Sequence, residues 1–290
     1  GLMVHTITEE GYLKFGTVGG IDRRVLLGKP VLVGEKQVPG VIGLKAYHLT
    51  TAEEAKTVPK LREFYIDIGA RNREEAGGME HKKFCYDKKT EPAVIIQSGD
   101  VVVFDTACLE FGHGFLKAKA IDDRIGCAVM VELLKDPLPM DCTFVFTVQE
   151  EVGTRGAFGA AFSVTPDIAL VLEGTTAADL PGMPGHKRVC APGKGPVIPY
   201  MDGGTVYDRD LYDLLRTQAE QGKIPWQTKE YLSGGTDASA IQRTKEGVRV
   251  AGIAAAVRYL HTPTSVVSLE DCENMLILAR RFLQAVAAME

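Results

Sequence analysis

The residues of this 290-residue sequence best suited to chemistry are acidic and histidine side chains that each follow an apolar run. Asp122 and Asp123 precede an amphipathic stretch in Ala120-Ile121-Asp122-Asp123-Arg124, where an acid also serves simply as a helix cap. Glu150 and Glu151 end the run Thr143-Phe144-Val145-Phe146-Thr147-Val148-Gln149. Adjacent side chains on a strand point apart, so one glutamate of this pair can bind a metal while the other faces a substrate and handles protons. A solvated pair favoured by a helix dipole is the plainer alternative. Glu173 ends the apolar run Ile168–Leu172, and His261 follows Ala251–Val257 by way of Arg258-Tyr259-Leu260. Singly, these two read as an exposed acid and a packed or surface histidine.

Together the four clusters make a coherent set, because carboxylates and imidazole suit hard to borderline divalent ions and Zn²⁺ accepts both. Two ions about 3.5 to 4 Å apart need one bridging carboxylate and terminal ligands on either side. Asp122 as the bridge, Glu151 with His261 on one ion and Glu173 on the other supply that set, short of one nitrogen.

Such residues must be held at the ends of strands, and the elements inferred from the sequence do this. After Ala107, apolar runs expected as strands (142–148, 168–172, 248–257) alternate with expected helices (123–134, 154–162, 208–221, 236–244). This is the alternation of an α/β fold whose mostly parallel sheet is covered by helices, with ligands collecting at the carboxyl ends of strands. The last helix is the clearest. Ser268 with Asp271 three residues on is a capping pattern, and Cys272, Met275, Leu276, Ala279, Leu283 and Val286 share one face. From Gly1 to about Asp105 the texture is different: short strand-like runs (KPVLVGE, VPGVIGLKAY, FYIDIGA, AVIIQ, DVVVFD) punctuated by Gly and Pro, with brief helices only at 51–58 and 72–76. That composition reads as a β-rich module.

Lys plus Arg number 33 against 38 Asp plus Glu, so the net charge of −5 offers no attraction to nucleic acid or an anionic membrane. No apolar run approaches the roughly 20 residues of a membrane span, and the start lacks the pattern of a secretory signal. The six cysteines are scattered, with no CxxC pair. The expected setting is cytoplasmic, with reduced cysteines and a small soluble substrate. Gly1–Ile7 already reads as a strand, and a further N-terminal piece is expected before it.

In order, AIDDRIGC, QEEVGTRGA, LEGTTAADLPG, GGTDASAI and RYLHTP resemble the dinuclear metallo-aminopeptidase family of the tetrahedral glutamyl, leucyl and lysyl type, over nearly the whole chain. The resemblance implies a metal-dependent aminopeptidase. Asp122 is then the bridging ligand, Glu151, Glu173 and His261 are terminal ligands of two divalent ions (zinc or cobalt), and Glu150 is the general base. Gly235, Thr236, Asp237, Arg258 and Tyr259 would line the substrate cleft. It further implies a PDZ-like dimerisation insert over residues 4–105 in a peptidase core formed by 1–3 and 106–290. Short peptides would be the substrates, and dimers would close into a tetrahedral dodecamer. The family's first ligand, a histidine in a His-x-Asp-Glu segment, lies upstream of a strand resembling GLMVHTI, and His5 does not replace it. The family often has Asp where Glu173 stands. Two rivals follow: a two-metal deacylase, and a ligand-deficient assembly protein without catalysis.

Overall fold

A computed structural model of the chain describes residues 1–78 and 96–289. Cys85 and most of the strand expected over 93–97 lie outside them. The chain divides into two compact units, one of residues 1–107 with 261–263, the other of 108–260 with the residues from 264 onward.

The first unit is all antiparallel. Six short strands, β1 (Leu2–Ile7), β2 (Leu13–Thr17), β3 (Pro30–Val33), β4 (Val38–Gly43), β5 (Tyr65–Asp67) and β6 (Val101–Phe104), close into a barrel in the order β1-β2-β5-β4-β3-β6. β1 begins at Leu2, two residues ahead of the insert boundary expected at residue 4. Where a PDZ-like module was expected, the structure shows this closed barrel: β1 bonds to β2 along one edge and to β6 along the other, so that among the described residues the barrel has no open sheet edge. Alternate residues point inward, so Leu2, Val4, Leu13, Phe15, Val31, Val33, Ile42 and Ile66 form its core. The helix expected at 51–58 reduces to a 3-10 turn at Glu54–Lys56. That expected at 72–76 is α1 (Arg73–Gly77), with the Asn72 side chain accepting from the Glu75 amide at 2.8 Å.

The second unit is mixed α/β. β9 (Ile168–Thr176) and β10 (Arg249–Val257) run parallel in register, Glu173 opposite Ala254. β7 (Leu109–Phe111), β8 (Phe115–Ala118) and β11 (Ser265–Ser268) form an antiparallel sheet. The helices are α2 (Ile121–Leu133), α3 (Arg155–Val164), α4 (Arg209–Gln221), α5 (Ala238–Ile241) and α6 (Leu269–Ala287). The expected mostly parallel sheet is therefore corrected. Among the described residues, β9–β10 is the one parallel pair, and the apolar run 142–148 forms no strand ladder. Its alternation reports which side chains turn inward, such as Phe144 against the core, but a ladder also needs a neighbouring backbone at bonding distance.

α6 anchors this unit. Ser268 Oγ accepts from the Asp271 amide, and Cys272, Met275, Leu278, Ala279, Phe282 and Val286 are buried against α2, α4 and β10. Leu276 and Leu283 flank this stripe, which centres further round the helix than the sequence spacing placed it. The buried Asp271 carboxylate also accepts from the amides of Gly193 and Gly195, at 2.6 and 2.8 Å, tying the 190–195 loop to the helix start. Asp271→Ala would strand two sheltered N–H groups and remove a charged acceptor, at a cost of about 3 kcal/mol. Urea unfolding should show this loss, and a change below about 1 kcal/mol would contradict the anchor.

Candidate metal centre and active site

The acidic residues of the second unit gather where β9 ends and α2 begins. Ala120 takes a left-handed conformation (φ 51°), and Asp122 and Asp123 depart from helical geometry before α2 continues. Asp123 Oδ1 accepts from the Gly126 amide at 2.9 Å, so the capping role belongs to Asp123. Two glycines permit the close approach. A Cβ on Gly126 would stand 2.4 Å from both Asp123 Oδ2 and the Leu172 carbonyl, and one on Gly174 would stand 2.9 Å from Asp122 Cβ. β9 and the Asp122-Asp123 turn can therefore touch only without side chains at these positions.

Glu150 and Glu151 lie on a 3-10 turn, Glu150–Val152, entered through Gln149 at φ 60°. This replaces the expected strand end. Successive side chains now diverge by about a third of a turn, leaving Glu151 exposed and Glu150 half-buried.

One oxygen each of Asp122, Asp123 and Glu173 lie within 4.8 Å of one another, and Asp122 also has an oxygen within 4.8 Å of one from Glu151. Their electrostatics are those of charges crowded away from water. Burial, then the Asp123 and Asp122 charges, raise the Glu173 carboxyl far above the usual range. Asp123 is raised too, chiefly by burial. Glu150 is pushed up to about 7 by burial and by the carboxylates of Asp237, Glu151 and Asp122. An oxygen-rich cluster whose members oppose each other's ionisation fits divalent cations, which remove that opposition at a stroke.

The other expected site residues fall in several places. Gly235 is exposed on the loop before α5, whereas Thr236 and Asp237 are each 7% exposed. Thr236 Oγ1 lies 3.3 Å from the Tyr207 hydroxyl, and Asp237 Oδ2 accepts from Thr147 Oγ1 at 2.6 Å. Arg258 forms a two-pronged ion pair with Asp179, its Nε 2.9 Å from Oδ1, and its guanidinium stacks 5.4 Å from the Phe115 ring centre. Tyr259 is about half exposed. His261 belongs to the first unit, where its carbonyl accepts from the Asp22 amide at 3.0 Å.

Sequence reasoning missed three of these partners. Asp179 lies 79 residues from Arg258 and Thr147 lies 90 from Asp237, and neither carries a local signal. Lys229, only 4% exposed, lines a cavity with Glu173, Thr175, Tyr207 and Thr236. A lysine in a loop gives no hint of burial.

An α/β unit with a cluster of metal-suited acids at a strand's carboxyl end defines a metal-dependent hydrolase. Comparison with known proteins narrows this. The M42 glutamyl aminopeptidase family model matches residues 1–278. The chain is 36% identical to an aminopeptidase from the archaeon Desulfurococcus kamchatkensis, with a TM-score of 0.88 over 98% of this chain and 76% of that one. It is 32% identical to the TET1 peptidase of Pyrococcus horikoshii, which can assemble into a tetrahedron or a large octahedral shell (TM-score 0.78, over 97% and 79%). It is 28% identical to the lysyl aminopeptidase of Pyrococcus furiosus, over 100% of this chain and 80% of that one. The chain belongs to the M42 glutamyl aminopeptidase family and is a metal-dependent aminopeptidase.

The raised carboxyls give a sign to pH dependence. Their folded pKa values exceed the unfolded ones, so the stability they contribute is complete below about pH 4 and is lost as pH rises through the folded values, to about 7 for Glu150 and about 8 for Asp123. Chelated protein should therefore melt at lower temperature at pH 8 than at pH 5.5. Added Zn²⁺ or Co²⁺ should raise the melting temperature more at pH 8. A metal response equal at both pH values would refute this origin.

Proposed function

We propose that the acidic cluster holds two divalent ions, zinc or cobalt, with Asp122 bridging them, Glu151 and His261 on one and Glu173 on the other. The observation that carries this reading is the position of Asp122, which has an oxygen within 4.8 Å of one from Glu151 and also belongs to the group with Asp123 and Glu173. His261 is tethered to the second unit at both flanks, through Leu260 and Thr264, and follows β10 by four residues. In this reading His261 supplies the imidazole that zinc sites with mixed carboxylate and histidine ligands use.

When bound, such ions would supply a water of lowered pKa, toward about 7, and a polarised peptide carbonyl. Glu150 is the general base. It takes a proton from the attacking water and gives it to the departing amine as the C–N bond breaks. A half-buried carboxylate beside the acidic cluster is placed for both halves of that transfer. The exposed Gly235 and Tyr259 line the substrate cleft, with Thr236, Asp237 and Arg258 bracing it from beneath. Substrates are short peptides, whose free amino end suits an acidic surround. Among the described residues no helix is long and apolar enough to cross a membrane, and Cys108, Cys127, Cys142, Cys190 and Cys272 are free thiols, as a cytoplasmic setting favours.

Glu150→Gln keeps shape but deletes the proton acceptor, so metal content should hold while turnover falls about 10²–10⁴-fold. Near-normal hydrolysis of aminoacyl p-nitroanilides by this variant would sink the assignment.

We also assign self-association to the barrel unit, as the source of the dimer contacts from which a tetrahedral dodecamer is built; the similarity to a TET1 peptidase that can assemble into a tetrahedron supports the assembly. In analytical ultracentrifugation the 290-residue chain should form large particles, and a chain beginning at Cys108 should not. Particles of equal subunit number from both would count against this role.

A further inference from the structure

The turn bearing Glu150 has an unusual support. The run leading into it, 142–148, has no strand ladder among the described residues; its backbone tie is to the start of α3, where the Gly156 and Arg155 amides donate to the Val148 and Gln149 carbonyls at 2.9 and 3.3 Å. A side-chain bond also reaches the run from a well-anchored element. Thr147 Oγ1, three residues before Glu150, donates to Asp237 Oδ2 at 2.6 Å, the short length of a charge-assisted bond.

Asp237 suits this task better than contact with a substrate. It is 7% exposed, and its carbonyl accepts from the amides of Ala240 and Ile241 at 3.0 Å, locking it to the start of α5. α5 in turn packs against α3, β9 and β10. Its second oxygen, Oδ1, is also sheltered from solvent and lacks a hydrogen-bond partner among the described residues, so a substrate ammonium has no open path to it. Retaining a charged acceptor at the cost of an unpaired oxygen is explained if the strength of the Thr147 bond matters.

We propose that Asp237 is a positioning residue for the reaction, acting through Thr147 to fix the turn that carries Glu150 without touching the substrate. This rests on Glu150 being the general base. A misplacement of about 1 Å near reacting groups costs on the order of 10²-fold in rate, which sets the expected effect. Losing the bond lowers kcat and leaves substrate affinity and metal ligation in place.

The test compares Thr147→Val, Thr147→Ser, Asp237→Ala and the Thr147→Val/Asp237→Ala double variant of the whole chain. Each is assayed with an aminoacyl p-nitroanilide and for bound Zn²⁺ by elemental analysis. Thr147→Val and Asp237→Ala should each lower kcat about 10- to 100-fold, with KM and zinc within about twofold of the parent. The double variant should be no slower than Asp237→Ala alone, because both substitutions remove one bond. Thr147→Ser, which restores the hydroxyl, should recover most of the lost turnover. Should Asp237→Ala fail to fold, the valine and serine variants at 147 decide the matter. Unchanged kcat in Thr147→Val overturns the proposal, as does a serine variant no better than the valine. A KM rise at constant kcat in Asp237→Ala would make it a substrate contact, and loss of zinc would make it part of the metal site. Glu150→Gln, run alongside, separates the two levels. If it retains turnover the base assignment fails, whereas an inactive Glu150→Gln beside a fully active Thr147→Val defeats only the positioning role.

Discussion

Mutual repulsion among sheltered carboxylates is the constraint on which the rest of the second unit depends. Burial first, and then the charges of neighbouring carboxylates, Asp122 among them, raise the affinity of Asp123, Glu150 and Glu173 for protons. No fold gains stability by assembling such a group on its own account. The surrounding structure must therefore bear the cost, which it does with a well-packed β9–β10 pair and the long, capped helix α6. The same crowding that penalises the bare protein provides a high field for a divalent cation and keeps Glu150 near neutrality. Stability and chemistry thus pull on the same four side chains in opposite directions.

Close backbone approach makes the crowding possible. Gly126 and Gly174 have no room for a Cβ, so the Asp122-Asp123 turn can lie directly on the end of β9. Longer side chains then complete the site from further away: Glu173 from within the strand, Glu150 and Glu151 from a 3-10 turn. This division fits their sizes, since an aspartate carboxylate follows its backbone closely and a glutamate has one more rotatable bond with which to reach.

Much of this was legible in the residue order. Asp122, Glu150, Glu151, Glu173 and His261 stood out because each lies where an expected strand gives way to a loop or helix, and three of those places border elements that exist: α2, β9 and, for His261, β10. The Ser268 cap and the stripe beginning at Cys272 were equally plain, because capping and helical period are local properties. What was not legible is pairing. Period-two alternation at 142–148 showed that Phe144 faces the core, yet it carried no information about a neighbouring strand. The closed barrel, the Arg258–Asp179 ion pair and the Thr147–Asp237 bond join residues far apart in the chain, and nothing in either partner's surroundings marks the other. Even the helix-cap reading was resolved only by geometry, which gave the cap to Asp123.

The Arg258–Asp179 pair has a wider meaning. β9 and β10 end side by side at Thr176 and Val257, where the Ala177 amide donates to the Val257 carbonyl at 2.8 Å. Three and one residues past those points stand Asp179 and Arg258, joined by parallel hydrogen bonds and backed by the Phe115 ring. The loops that leave the two strands are thus riveted at their roots. Neither root can therefore shift without carrying the other along or breaking the paired hydrogen bonds.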